Sequence, residues 1–180
     1  MKNRVLIWIS AWFIFSSCSP RLTPFTQKFY DSYEFKQEDL KRIQFYLSED
    51  VVLRRDMTGG NVEIVQGEIK VVDGRKVEQI VIRKGTPGVL VTLPKENRFA
   101  VSFEPNDDGK FLMFGPNEKL GKKYTLLAAE WKKHTGIITY GNQKYYTDGH
   151  NGLATLLVNL NKMYHEQRKS HVAKGRTVGS

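Results

Sequence analysis

Turn-forming pairs cut this chain into short pieces from residue 43 onward. Gly59-Gly60, Asp73-Gly74, Pro87-Gly88, Asp108-Gly109 and Gly141-Asn142 punctuate runs whose apolar residues alternate. In RFAVSF, Phe99, Val101 and Phe103 share one face, and Ala100 and Ser102 take the other. Val62 with Ile64, and Ile69 with Val71, repeat the pattern. A period of two puts one side of an extended strand in a core and the other towards solvent. VLVTL at 89–93 and FLMF at 111–114 are apolar on both faces, which predicts central strands. Asp73-Gly74 lies between EIKVV and RKVEQIVI, and Gly141-Asn142 between GIITY and QKYYT. Both fit two-residue hairpin turns of type I′, which need positive φ at both central positions. The expected fold is mainly β, an antiparallel sandwich or barrel with one short N-terminal helix.

That helix is expected over Lys36–Arg42, with Glu38 and Asp39 early and Lys41 and Arg42 late, as the helix dipole favours. Ile43–Leu47 then reads as strand. LATLLVNLNKMY, residues 153–164, fits two patterns. A helix would align Leu153, Leu156, Leu157, Leu160 and Met163; a strand would turn Ala154, Leu156, Val158 and Leu160 inward. The β-branched Thr155 and Val158 favour the strand.

The chain opens MKNRVLIWISAWFIFSSCSP. Lys2 and Arg4 precede an apolar run from Val5 to Phe15, interrupted only by Ser10. The run falls short of the ~20 residues needed to span a bilayer. Ser16, Ser17 and the only cysteine, Cys18, follow. This stretch resembles a bacterial lipoprotein signal peptide with its lipobox, with Phe15 where leucine is usual. The alternatives are an ordinary cleaved signal peptide or an uncleaved anchor. The resemblance implies a lipid on the Cys18 sulfur and cleavage before it. It also implies outer-membrane sorting in a diderm bacterium, because Ser19 rather than Asp follows Cys18. No acidic run follows to suggest export to the cell surface, so the periplasmic side is expected. A lipidated Cys18 leaves no free thiol, which excludes disulfides, cysteine nucleophiles and Cys-ligated zinc.

The expected organisation is signal peptide 1–17, lipid-anchored tether 18–30, one β-rich domain 31–165 and a basic flexible tail 166–180. Pro20 and Pro24 disfavour regular structure in the tether. The net charge is +9, or +7 once Lys2 and Arg4 leave with the signal peptide. Lys162, Arg168, Lys169, Lys174 and Arg176, against Glu166 alone, concentrate positive charge at the C-terminus. Outside the cytoplasm that charge points to anionic glycan or lipid rather than nucleic acid.

Three stretches carry chemical groups. YYTDGHNG, residues 145–152, holds Asp148, His150 and Asn151, an acid–base pair or the start of a metal site. As a turn it needs only Gly149 and Gly152 to supply special φ values. EPNDDGK, residues 104–110, puts Glu104, Asn106 and Asp108 at calcium-loop positions when Gly109 is aligned with the invariant glycine. Gly115 then falls where a bidentate Glu is required, so a β-turn is the better reading. EWKKHTG groups Trp131 with Lys132, Lys133 and His134, suited to cation–π pairing or an anionic glycan. The plainer reading is a core tryptophan followed by a basic loop. No nucleophile elbow, P-loop or Rossmann fingerprint is present.

The expected function is therefore a non-enzymatic, membrane-anchored envelope lipoprotein that binds or supports another envelope component. No catalytic residue, metal or cofactor is assigned. The alternatives are a small-ligand β-barrel, for which lipocalin-like lipoproteins are a precedent although their G-x-W signature is missing, and an envelope hydrolase using His150 and Asp148. The lipidation site is directly testable. Cys18→Ser should abolish fatty-acid labelling in growing cells and leave an unprocessed precursor on a gel. Equal labelling of mutant and parent would contradict the lipobox.

Overall fold

The computed structural model describes residues 21–33, 35–56, 68–72 and 75–167. Two antiparallel sheets pack face to face as a sandwich, and they do not close into a barrel. The first sheet has seven strands: β1 (Leu22–Pro24), β2 (Phe45–Leu47), β6 (Pro87–Lys95), β7 (Arg98–Ser102), β8 (Phe111–Asn117), β9 (Lys123–Leu127) and β13 (Leu156–Asn159). They lie in the order β1-β13-β2-β6-β7-β8-β9. The second sheet has six strands: β3 (Val51–Asp56), β4 (Glu68–Val72), β5 (Arg75–Ile82), β10 (Glu130–Lys132), β11 (Thr135–Tyr140) and β12 (Gln143–Asp148). Their order is β10-β11-β12-β3-β5-β4. The free edge of β9 is met by single bridges, Thr26 to Lys123 and Thr125 to Thr155. Those contacts cover backbone groups that an open edge would present to another chain.

The chain enters the fold earlier than the expected tether allows. Leu22–Pro24 pairs with β13, and Phe25 is fully buried. Pro24 is tolerated because β1 is an edge strand, where a missing N–H need not break a ladder. A helix that the polar sequence QKFYDSY hides follows at α1 (Gln27–Tyr33), ahead of the expected one at α2 (Gln37–Lys41). There are thus two short N-terminal helices rather than one. In α2 the Lys36 N–H donates to the Asp39 carboxylate at 3.2 Å, and Leu40 is buried.

The ambiguous segment 153–164 divides. Gly149–Leu153 is a 3₁₀ turn, Ala154, Leu156 and Val158 point inward as the strand pattern required, and α3 (Leu160–Gln167) begins at Leu160 with Met163 buried. Helix therefore extends past residue 165, and residues 168–180 lie outside the described residues.

Gly141 and Asn142 have φ values of 55° and 63°, the type I′ turn that the sequence predicts. Asp73-Gly74, Gly59-Gly60 and Val62 with Ile64 lie outside the described residues, although β4 and β5 pair as far as Val72 opposite Arg75. Pro87-Gly88 is not a turn. The reversal is at Gly85, whose φ is 78° and whose N–H donates to the Leu47 carbonyl. Gly88 is in β6 because a Cβ there would lie 2.6 Å from a Phe103 ring carbon. The two-faced run at 89–93 is only partly covered, since Val89 is exposed; in β8, Leu112 and Phe114 enter the core while Phe111 and Met113 are half-buried on the other face.

The core centres on Tyr124, which is wholly buried. Its ring lies 5.1 Å from that of Phe25 and 4.6 Å from that of Phe99, and Phe25 also meets Phe45 edge-on at 5.5 Å. The Tyr124 hydroxyl donates to Gln27 Oε1 at 2.9 Å, and Asn97 Oδ1 lies 3.3 Å from it. Gln27 Nε2 in turn donates to Asn97 Oδ1 at 3.0 Å and to Asp31 at 2.7 Å. Every described core residue lies between Phe25 and Met163, so a chain begun at Ser19 keeps all of them.

Burial raises the Tyr124 hydroxyl pKa well above its ordinary value of 10.0. Burial and the neighbouring Glu104, which accepts from the Tyr140 hydroxyl at 3.1 Å, do the same at Tyr140. A raised folded-state pKa gives stability that is complete below the unfolded pKa and is lost as pH climbs beyond it. The tyrosine contribution to thermal stability of the chain begun at Ser19 should therefore be constant up to about pH 10 and fall above it. Tyr124→Phe should cost about 1–2 kcal/mol, by removing a donor from two half-buried acceptors, and should shallow the alkaline decline. An unaltered alkaline slope in that variant would contradict the assignment.

Candidate functional site

Trp131 is not a core residue. It lies on β10, an edge strand, directly opposite Gly136, and remains 41% exposed. Its ring rests on two glycines. A Cβ on Gly136 would sit 2.7 Å from Trp131 Cζ3, and one on Gly152 would sit 2.8 Å from Cη2. An indole laid against bare backbone is held in place there, and the rest of it stays exposed.

This reverses the expectation for the YYTDGHNG glycines. Among the described residues the glycines with positive φ are Gly85, Gly121 and Gly141, so Gly149 and Gly152 supply close approach instead of unusual φ. Gly149 lies under the His134 backbone, and its N–H donates to the His134 carbonyl. Asn151 holds the turn in place. It is buried, and its amide donates to Thr147 Oγ1 at 2.7 Å and to the Val52 carbonyl at 3.3 Å.

The exposed side of Trp131 borders a cleft of about 520 Å³. That is within the roughly 300–1,000 Å³ common for small-molecule sites. Phe111 and Met113 of β8 and Leu127 of β9 form its floor, joined by Ile138 of β11. Met113 faces Ala100 on one side and Leu127 on the other, which makes the floor a continuous patch across β7, β8 and β9. Lys95 and Arg98 stand at the rim, paired across the β6–β7 turn. The Arg98 guanidinium lies across Gly115, with Nη1 2.7 Å from where a Cβ would be. Among the described residues no acidic side chain lines this cleft. Beyond Trp131 a shallower depression includes Arg98 again, with Lys119, Lys133 and His134.

The residues singled out from sequence fall into two groups. Trp131, Lys133 and His134 border this region, with Lys133 in the β10–β11 turn at φ 53°. Lys132 forms an exposed ion pair with Glu130 at 3.5 Å and lines neither depression. Asp148 pairs with Arg54 at 3.5 Å, and His150 lies 3.5 Å from Glu49. The two are thus committed to different partners, and no hydrogen bond or ion pair joins them. In EPNDDGK, Asp107 accepts from the Gly109 N–H and pairs with Lys110, and Asn106 takes φ 57°, so the loop is a turn. No cluster of three or more metal-ligating side chains occurs among the described residues. Cys18 lies outside them.

Sequence reasoning missed the floor and the rim. Phe111, Met113, Leu127, Lys95 and Arg98 come from four strands, β6 to β9, and only sheet register brings them together. The one available signal was FLMF, whose second apolar face required a partner. A scan against protein-family models, a search of curated proteins and a search of solved structures found no match.

The glycine seat gives a direct prediction. Once the leader is absent, Trp131 is the sole tryptophan of the chain. Gly152→Val should lift the indole, shift its emission to longer wavelength and leave the far-ultraviolet circular dichroism unchanged. Unshifted emission would mean that the ring does not rest on Gly152.

Proposed function

We propose that this protein is a lipid-anchored envelope lipoprotein, held through Cys18 at the outer membrane of a diderm bacterium and facing the periplasm. Its sandwich is a non-enzymatic binding module for another envelope component, and the Trp131 cleft is the binding site. The observation that carries this reading is the seated indole. An exposed tryptophan fixed on two glycines is rigid contact area, and rigid aromatic anchors lose little conformational freedom on binding.

The anchor and the fold are compatible in reach. Three residues separate Cys18 from Leu22, four Cα steps that span at most about 14 Å. A lipid on Cys18 therefore holds the sandwich close to the bilayer. Leu22 pairs with Asn159, so the strand nearest the anchor also adjoins the start of α3. The basic residues Lys162, Arg168 and Lys169 follow in sequence, a charge suited to anionic headgroups.

Site-specific photo-crosslinking in intact cells tests the reading. A crosslinker at Thr139, in the cleft, should capture an envelope component. One at Lys84, in the turn before β6 and so at the far end of that strand from Lys95, should not. Trp131→Ala should remove the Thr139 product while the protein remains membrane-bound. Equal capture from both positions, or capture unaffected by Trp131→Ala, would refute the cleft as the binding site.

A further inference from the structure

We propose that the occupant of the Trp131 cleft is a single-chain anionic amphiphile. Its acyl chain lies on Phe111, Met113 and Leu127 under the Trp131 ring, and its carboxylate or phosphate head meets Arg98 and Lys95. This inference rests on the cleft being a binding site and adds the chemistry of what it takes.

The two ends of the cleft differ in kind. The floor is formed by Phe111, Met113, Leu127 and Ile138, a surface that rewards removal of methylene groups from water. Met113 suits an occupant of variable length, because an unbranched thioether adapts to irregular chains. A glycan fits this floor poorly. Its hydroxyls would lose water against apolar side chains, and only Thr139 and Asn142 offer neutral polar side chains in return.

The rim supplies the sign of the charge. Lys95 and Arg98 line the cleft and, among the described residues, no carboxylate does, so the charged groups an occupant would touch are cations. Arg98 is also pre-positioned. Its guanidinium lies along the backbone at Gly115, where a side chain would displace it. A planar fork held in one place binds a carboxylate or phosphate through two parallel hydrogen bonds. The apolar surface and the cations are adjacent, as an amphiphile with one chain and one charged head requires. A diacyl lipid would need a second continuous apolar trough, whereas the depression beyond Trp131 mixes Pro116, Leu126 and Leu153 with Glu118, Lys119, Lys133 and His134.

The test uses the chain begun at Ser19, whose only tryptophan is the reporter. Palmitate, lysophosphatidylglycerol and neutral monopalmitin are titrated below the concentrations at which they aggregate, and Trp131 emission is followed. Either anionic amphiphile should shift the emission to shorter wavelength with saturation. A response to palmitate alone identifies a carboxylate head, a response to the lysophospholipid alone a phosphate head, and both support the proposal. Arg98→Gln should weaken binding at least about tenfold, the size expected for losing a charge-assisted pair, and leave any binding of monopalmitin unchanged. Lys95→Gln, at an exposed hairpin end, should act in the same direction and covers the case in which Arg98→Gln fails to fold. Monopalmitin binding as tight as that of the anionic amphiphiles would overturn the proposal. So would a saturable response to an acidic glycan fragment with none to the amphiphiles, although the cleft would then stand as a binding site. Silence towards all these ligands, together with a protein captured from Thr139 in cells, would also overturn it and leave the wider reading intact.

Discussion

Tyr124 joins three parts of the chain that are far apart in sequence. Its ring fills the space between Phe25 and Phe99, and its hydroxyl is tied to Gln27 and Asn97. Phe25 and Gln27 belong to the entering segment, Asn97 to the β6–β7 turn, and Tyr124 to β9. The apolar contacts are not directional, so alone they would permit several arrangements of these aromatics. The hydroxyl is directional, and leaving it unsatisfied in the core would cost about 1–3 kcal/mol. The polar cap therefore selects one arrangement of an otherwise permissive cluster. It also fixes the β6–β7 turn that carries Lys95 and Arg98 to the cleft rim.

A second constraint is the use of glycine as a place for something else to lie. Gly88 receives Phe103, Gly115 receives Arg98, and Gly136 and Gly152 together receive Trp131. None of these four has positive φ. Their common property is the missing Cβ, which lets a ring or a guanidinium approach the backbone. Two of the three seated side chains, Arg98 and Trp131, border the cleft. The site is thus shaped as much by absent side chains as by present ones.

Much of the architecture was legible. Alternation at Phe99 and Val101, the Gly141-Asn142 pair and the inward set Ala154, Leu156 and Val158 all describe local geometry, which sequence encodes directly. Tether and tail boundaries were not, because proline and charge were read as marks of irregularity. Pro24 is compatible with an edge strand, and Phe25 is buried only because β9 and β13 lie beside it. Pro87-Gly88 misled for a related reason: turn residues and close-packing residues are the same residue type, and only a neighbour such as Phe103 distinguishes them. Of the site, Trp131, Lys133 and His134 were visible as a local cluster. Arg98 and Met113 were not, because their significance depends on which strands lie side by side.

The charged groups inside the sandwich separate structural from available charge. Arg55 and Glu78 pair across β3 and β5 at 2.6 Å, Arg55 lies over the Tyr145 ring, and its remaining nitrogen donates to Gln143. Glu78 is almost wholly buried, and a buried carboxylate without such partners would be strongly destabilising. Every group in that network is occupied, so it stiffens the second sheet and offers nothing to a ligand. Arg98 is the opposite case. Its guanidinium is exposed, held by shape against Gly115, and set beside an apolar floor without a carboxylate among the lining residues. A cation placed by packing rather than by a counter-ion retains its hydrogen-bonding capacity for an incoming anion. The difference between Arg55 and Arg98 thus separates a charge that the fold uses internally from one that it leaves exposed beside an apolar floor.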